Sequence, residues 1–162
     1  MNNMFACDTQ TRKTGYVCPY CEIDPSSHSF RIMRKDENKI IYYTCPVEAT
    51  NTSTKPILAH YEGLLKDKGN TPWYWIIDFK DFGPKHAMEV TTAMELTRLI
   101  VKYSDTLKKV IVINSNIYMR VIMNIVTPFF NEKVRNVITI KVPNKSSRLE
   151  YTPIEQSEEL QT

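Results

Sequence analysis

The sharpest chemical signal in this sequence is Cys18-Pro19-Tyr20-Cys21. Two cysteines at this spacing can place both thiolates on one ion, because Zn(II) takes four sulfur or nitrogen donors in a tetrahedron. They supply half of a zinc site. Further donors would have to come from Cys7, His28, Cys45 or His60, since there is no second Cys-x-x-Cys and no His-x-x-x-His. The same spacing occurs in dithiol redox sites, where the first Cys is a low-pKa thiolate at a helix start. Here Glu22-Ile23-Asp24-Pro25-Ser26-Ser27 follows, which does not continue a helix, and no strand pattern precedes Cys18. Unliganded thiols are the third reading. A disulfide framework is not expected in a chain without a secretory signal.

The remaining reactive residue types form no catalytic set. His28, His60 and His86 lie far apart in sequence, and His60 falls between Ile57 and Leu64 on a predicted helix, a surface or edge position. Asp78, Asp81 and Glu89 could pair as acid and base near the end of a strand, where ligands collect in α/β sheets. There is no Gly-x-Ser-x-Gly elbow, P-loop or Gly-x-Gly-x-x-Gly, and four glycines could scarcely supply one. The chain is therefore not read as an enzyme. Trp73, Tyr74, Trp75 and Phe79 suit a core, and Phe129 with Phe130 suit either a core or an apolar pocket.

Composition agrees with a soluble globular chain: 42% hydrophobic, 24% charged. No stretch approaches the roughly 20 apolar residues of a membrane span, and the first residues lack the basic-then-apolar build of a signal peptide. A cytoplasmic protein is expected. The last thirteen residues hold four Glu and no Lys or Arg, so the preceding body carries +7 against +3 for the whole. A basic body suits an anionic partner such as phospholipid headgroups, with peripheral membrane contact. Its lysines are scattered rather than clustered, and no nucleic acid is expected as a partner.

The elements that would hold these residues follow from periodicity. Residues 1–28 read as an irregular, Cys-containing segment. Residues 29–34 and 39–45 form an antiparallel hairpin across Lys35-Asp36-Glu37-Asn38. Ile57, Leu58, Tyr61, Leu64 and Leu65 mark one buried helical face, ended by Gly69-Asn70. WYWIIDF (73–79) is apolar on both faces, as in a central strand. A long amphipathic helix is predicted over 88–103, a strand over 110–114, a helix capped by Asn116 and stopped by Pro128, and a third core strand over 136–142. Helix and strand alternate, implying a mainly parallel α/β sheet with helices packed on it and parallel crossovers. The division expected is a segment 1–28, an α/β domain 29–143 and an acidic, mobile tail 144–162.

Across 57–142 this order and its wording resemble the CRAL-TRIO lipid-binding family. The pieces are Tyr61-Glu62-Gly63-Leu64-Leu65, Trp75-Ile76-Ile77-Asp78-Phe79 with Gly83 after it, Ile111-Val112-Ile113-Asn114, Thr127-Pro128-Phe129-Phe130, and Glu132-Lys133-Val134-Arg135. The family's usual N-terminal helical lobe is not recognisable in residues 1–28. Its closing C-terminal strand and helix are expected to be cut short after Val142.

The resemblance implies a non-catalytic binding module with a sheet-floored apolar cavity and a helical gate, here residues 117–134. It would bind a hydrophobic, lipid-like ligand or a phosphoinositide. The alternative is a protein-interaction or scaffold module with a degenerate pocket. Trp75, Ile77, Ile113, Met119, Met123, Phe129 and Phe130 would meet the ligand, with Lys133 and Arg135 near an anionic headgroup. Asp78 is given a structural role, holding its loop through backbone N–H groups.

Overall fold

The structure, a computed structural model, describes residues 15–141. Cys7, Val142 and the acidic tail lie outside them. A five-residue helix α1 (Pro19–Ile23) is followed by strands β1 (Arg31–Lys35) and β2 (Ile40–Thr44), helix α2 (Thr54–Asp67) and strand β3 (Trp73–Asp78). A short α3 (Pro84–Ala87), α4 (Val90–Lys102), β4 (Leu107–Ile113), α5 (Ile117–Val126), α6 (Glu132–Val137) and β5 (Ile138–Ile140) complete the order.

One sheet takes all five strands in sequence order, β1-β2-β3-β4-β5. The β1–β2 pair is the antiparallel hairpin, and the other three pairs are parallel. The hairpin loop is closed by Asp36, whose Oδ1 accepts the N–H groups of Asn38 at 2.7 Å and Lys39 at 3.0 Å. That is a side chain standing in for a turn's backbone acceptor.

Sequential strand order has a consequence for the faces. Right-handed crossovers between neighbouring strands put every connecting helix on the same side. The alternation of burial agrees: Trp73, Trp75, Val110 and Val112 are buried, while Tyr74, Ile76, Ile111 and Ile113 are only half-buried. The expectation that WYWIIDF is covered on both faces therefore fails for the second face among the described residues. Its apolar run misled because Tyr and Ile also suit a partly exposed strand.

Other boundaries shift for local reasons. The helix predicted over 88–103 runs from Val90 to Lys102, starting late because Glu89 leaves helical geometry at φ −81°, ψ 55°. Strand β4 begins at Leu107, three residues before its continuous apolar run. A bulge opposite Trp73 and Tyr74 absorbs the extra residue and leaves Lys108 and Lys109 exposed. Asn136 and Val137 belong to α6 rather than to β5. Asn116 caps α5 as expected, accepting the Met119 N–H at 3.0 Å.

The core is aromatic at the β2–β3 end. The Phe30 ring stacks on Tyr61 at 4.1 Å and on Tyr42 at 4.6 Å, and meets Trp75 edge-on at 5.9 Å. Residues 15–30 are packed onto α2 next to this stack. Tyr16 lies so close over Gly63 that a Cβ at that position would overlap its ring.

Candidate functional site: an apolar cavity beside a thiol–imidazole cluster

Between the helix-covered sheet face and the helices lies a cavity of about 410 Å³, within the range of about 300–1,000 Å³ usual for small-molecule sites. Its floor comes from alternate residues of the parallel strands: Thr44, Trp75, Ile77, Val110, Val112 and Ile138. Period-two geometry explains the choice, since only one parity on each strand faces the helices. The walls are Ala93, Leu96 and Ile100 of α4, then Ile122, Met123 and Val126 of α5. Lys85, His86 and Glu89 form a polar edge. The His86 ring is held in place because its Nδ1 accepts the Gly83 N–H at 3.0 Å.

Four of the nine residues expected at the ligand are on this wall: Trp75, Ile77, Met123 and Phe130. The other five lie off it. Ile113 has the wrong parity on β4, opposite to Val110 and Val112. Met119 is fully buried in the core cluster. Phe129 is 44% exposed, with the Arg98 guanidinium 5.9 Å from its ring. Lys133 and Arg135 flank the inward-facing Val134 and are exposed. The positions 117–134 expected to gate the cavity form α5, a 3₁₀ turn and α6. Residues Ile117, Tyr118 and Val121 on the outer side of α5 are exposed apolar groups.

Asp78 closes the end of β3. Its Oδ1 accepts the Lys80 N–H at 2.9 Å and the Asn114 Nδ2–H at 2.8 Å, and its Oδ2 accepts the Tyr43 hydroxyl at 2.7 Å. Burial alone would raise this carboxyl, but the three donors outweigh it and hold the pKa below the usual Asp value. Every acceptor is engaged in joining β2, β3 and β4. Asp81 and Glu89 make no bond to it, so no acid–base pair exists among the three.

The second cluster joins the N-terminal segment to α2. Ligand atoms of Cys18, Cys21, His28 and His60 all lie within 4.8 Å of one another. The His28 Nδ1 is 3.6 Å from both Cys18 Sγ and Cys21 Sγ, and Cys21 Sγ is 3.8 Å from His60 Nδ1. The sequence pairs Cys18 with Cys21 and offers Cys7, His28, Cys45 and His60 as further donors; the fold brings His28 and His60, the latter 39 residues from Cys21, to the pair. Periodicity could have hinted at His60, which shares the buried face of α2 with Tyr61. Cys45 is buried elsewhere, its N–H bonded to Ser29 Oγ at 3.2 Å. Burial, aided by the neighbouring His60, lowers the His28 pKa to about 4, and burial pushes the Cys21 thiol up to about 11.

Comparison with known proteins adds three findings. The profile of the family described as the CRAL/TRIO domain matches residues 8–159, well beyond both ends of 57–142. A solved structure titled "Crystal structure of Sfh5" is similar with a TM-score of 0.56 at 11% identity. The match covers 74% of this chain and 50% of that one, so this chain spans half the length of that relative. No curated protein matches. Among the described residues, no helix is long and apolar enough to cross a membrane.

Proposed function

The chain belongs to the CRAL/TRIO domain family, and on that premise we propose that it is a non-catalytic binding module whose cavity takes one hydrophobic, lipid-like molecule. The observation that carries this reading is the 410 Å³ cavity itself. Its floor and walls are mostly aliphatic and aromatic, with polar groups such as Thr44, Asn51, Thr97 and Lys85 among them. An apolar chain would lie over Trp75 and Ile77, under Met123 and Phe130. A polar end would sit toward Lys85 and His86, which offer a cation and a ring. Lys133 and Arg135, on the outer side of α6, would not reach it. Asp78 is committed to structural bonds and offers the cavity no free carboxylate.

The test is titration of a fluorescent fatty acid into the full chain, read by energy transfer from tryptophan. Saturation at one probe per chain is expected, with Trp75 in the wall as the donor. Ala93→Phe adds a ring to the α4 wall and should weaken the probe by at least tenfold while leaving the circular dichroism unchanged. Binding that does not saturate, or that Ala93→Phe leaves untouched, would overturn the reading.

A further inference from the structure

We propose that Cys18, Cys21, His28 and His60 bind one zinc ion that fastens residues 15–30 to α2. The distances fit. Tetrahedral zinc with bonds of about 2.3 Å to sulfur and about 2.0–2.1 Å to nitrogen separates neighbouring S and N donors by about 3.5–3.6 Å. Three of the four sulfur-to-nitrogen distances here are 3.6, 3.6 and 3.8 Å, and the fourth, Cys18 to His60, is within 4.8 Å. Two thiolates and two imidazoles are the donor set of structural Cys₂His₂ zinc.

The tautomers are already set for it. A carbonyl oxygen can only accept, so the 2.6 Å contact between His60 Nε2 and the Phe30 carbonyl makes Nε2 the protonated nitrogen. Nδ1, facing Cys21, is then a bare lone pair. A ligating histidine whose other nitrogen is held by a carbonyl is the usual outer-shell arrangement of zinc sites. His28 supplies an independent sign. It is 7% exposed, its Nδ1 is directed at both sulfurs, and its Nε2 is buried with no hydrogen-bond partner among the described residues. Among the described residues, its Nδ1 meets only two weakly hydrogen-bonding thiols. An ion between them would give Nδ1 a strong partner, while the buried Nε2 would still lack one.

Such an ion would add to the anchoring of this segment by Phe30. Helix α1 buries none of its residues, yet Cys18 just before it and Ser27 to Phe30 after it are buried. Two thiolates balance the charge of Zn²⁺, so the loaded site is neutral. A neutral site tolerates burial. The inference is independent of what fills the cavity.

Elemental analysis of the untagged full chain, purified in reducing, chelator-free buffer, should find about one zinc per chain. Cys21→Ser and His60→Ala should lose it, whereas Cys45→Ser should keep it. Should a variant fail to fold, cobalt added to chelator-stripped wild type decides the matter. Tetrahedral ligand-field bands and a thiolate-to-cobalt charge-transfer band are expected, with saturation at one cobalt per chain. Protein that is metal-free as purified and gives no thiolate–cobalt band would overturn the proposal. So would zinc retained by both Cys21→Ser and His60→Ala.

Discussion

His60 donates its Nε2–H to the carbonyl oxygen of Phe30 at 2.6 Å. The two residues are coupled a second time, because the Phe30 ring stacks at 4.1 Å on Tyr61, the residue after His60. One residue of the N-terminal segment thus grips α2 through both backbone and side chain. On one side of this joint lies the thiol–imidazole cluster, and on the other the aromatic end of the cavity. His28 belongs to both, as a cluster member and as part of the cavity lining.

Trp75 meets this joint from the sheet. It is 8% exposed, its indole N–H donates to Thr44 Oγ1 at 2.9 Å, and its ring touches Phe30 and Tyr61 edge-on. Trp75→Ala removes that packing and should destabilise the fold by about 3–5 kcal/mol, measured by urea unfolding. Because the cavity borders Trp75, a value near the lower end is expected. A midpoint that hardly moves would contradict a buried central strand.

Asp78 makes a pH-dependent contribution with a definite sign. Its folded pKa lies below the ordinary Asp value of about 3.9, so its stabilisation is complete above that value and is lost as pH falls through the folded one. Asp78→Ala leaves the Lys80 N–H and Asn114 amide without their acceptor and should cost about 1–3 kcal/mol at neutral pH. Asn114 sits at φ 55° and depends on that bond to hold its left-handed conformation. The gap between wild type and Asp78→Ala should narrow below about pH 4. A gap that stays constant through acid titration would assign the carboxylate no such role.

Much of the architecture was legible in the residues. The hairpin, α2, β3, β4 and the Asn116 cap followed from period and capping chemistry, and the family resemblance rested on the wording of 57–142. Two kinds of feature were not legible. The first is which face of the sheet stays open, because strand order is a non-local property that no single strand records. The second is the cavity wall: Ile113 and Met119 are apolar and close in sequence to lining residues, yet parity and helix phase turn them away. Lys85 and His86 escaped notice because the turn that carries them, opened by Gly83-Pro84, approaches the cavity only after α4 has folded across the sheet. His60 was among the possible donors by residue type, but the choice among Cys7, His28, Cys45 and His60 was not legible. A histidine within an apolar helical face looks like a tolerated edge residue until the distant Cys18-Cys21 pair is brought beside it.

The central claim is that the cavity holds a hydrophobic molecule, and native mass spectrometry of the full chain as purified tests it most directly. The account predicts a species heavier than the bare chain by a single lipid-like mass. Organic extraction should remove that mass and release an identifiable apolar compound, while any metal is measured separately. A chain at its bare or metal-only mass, from several expression hosts and after incubation with mixed phospholipid vesicles, would contradict it.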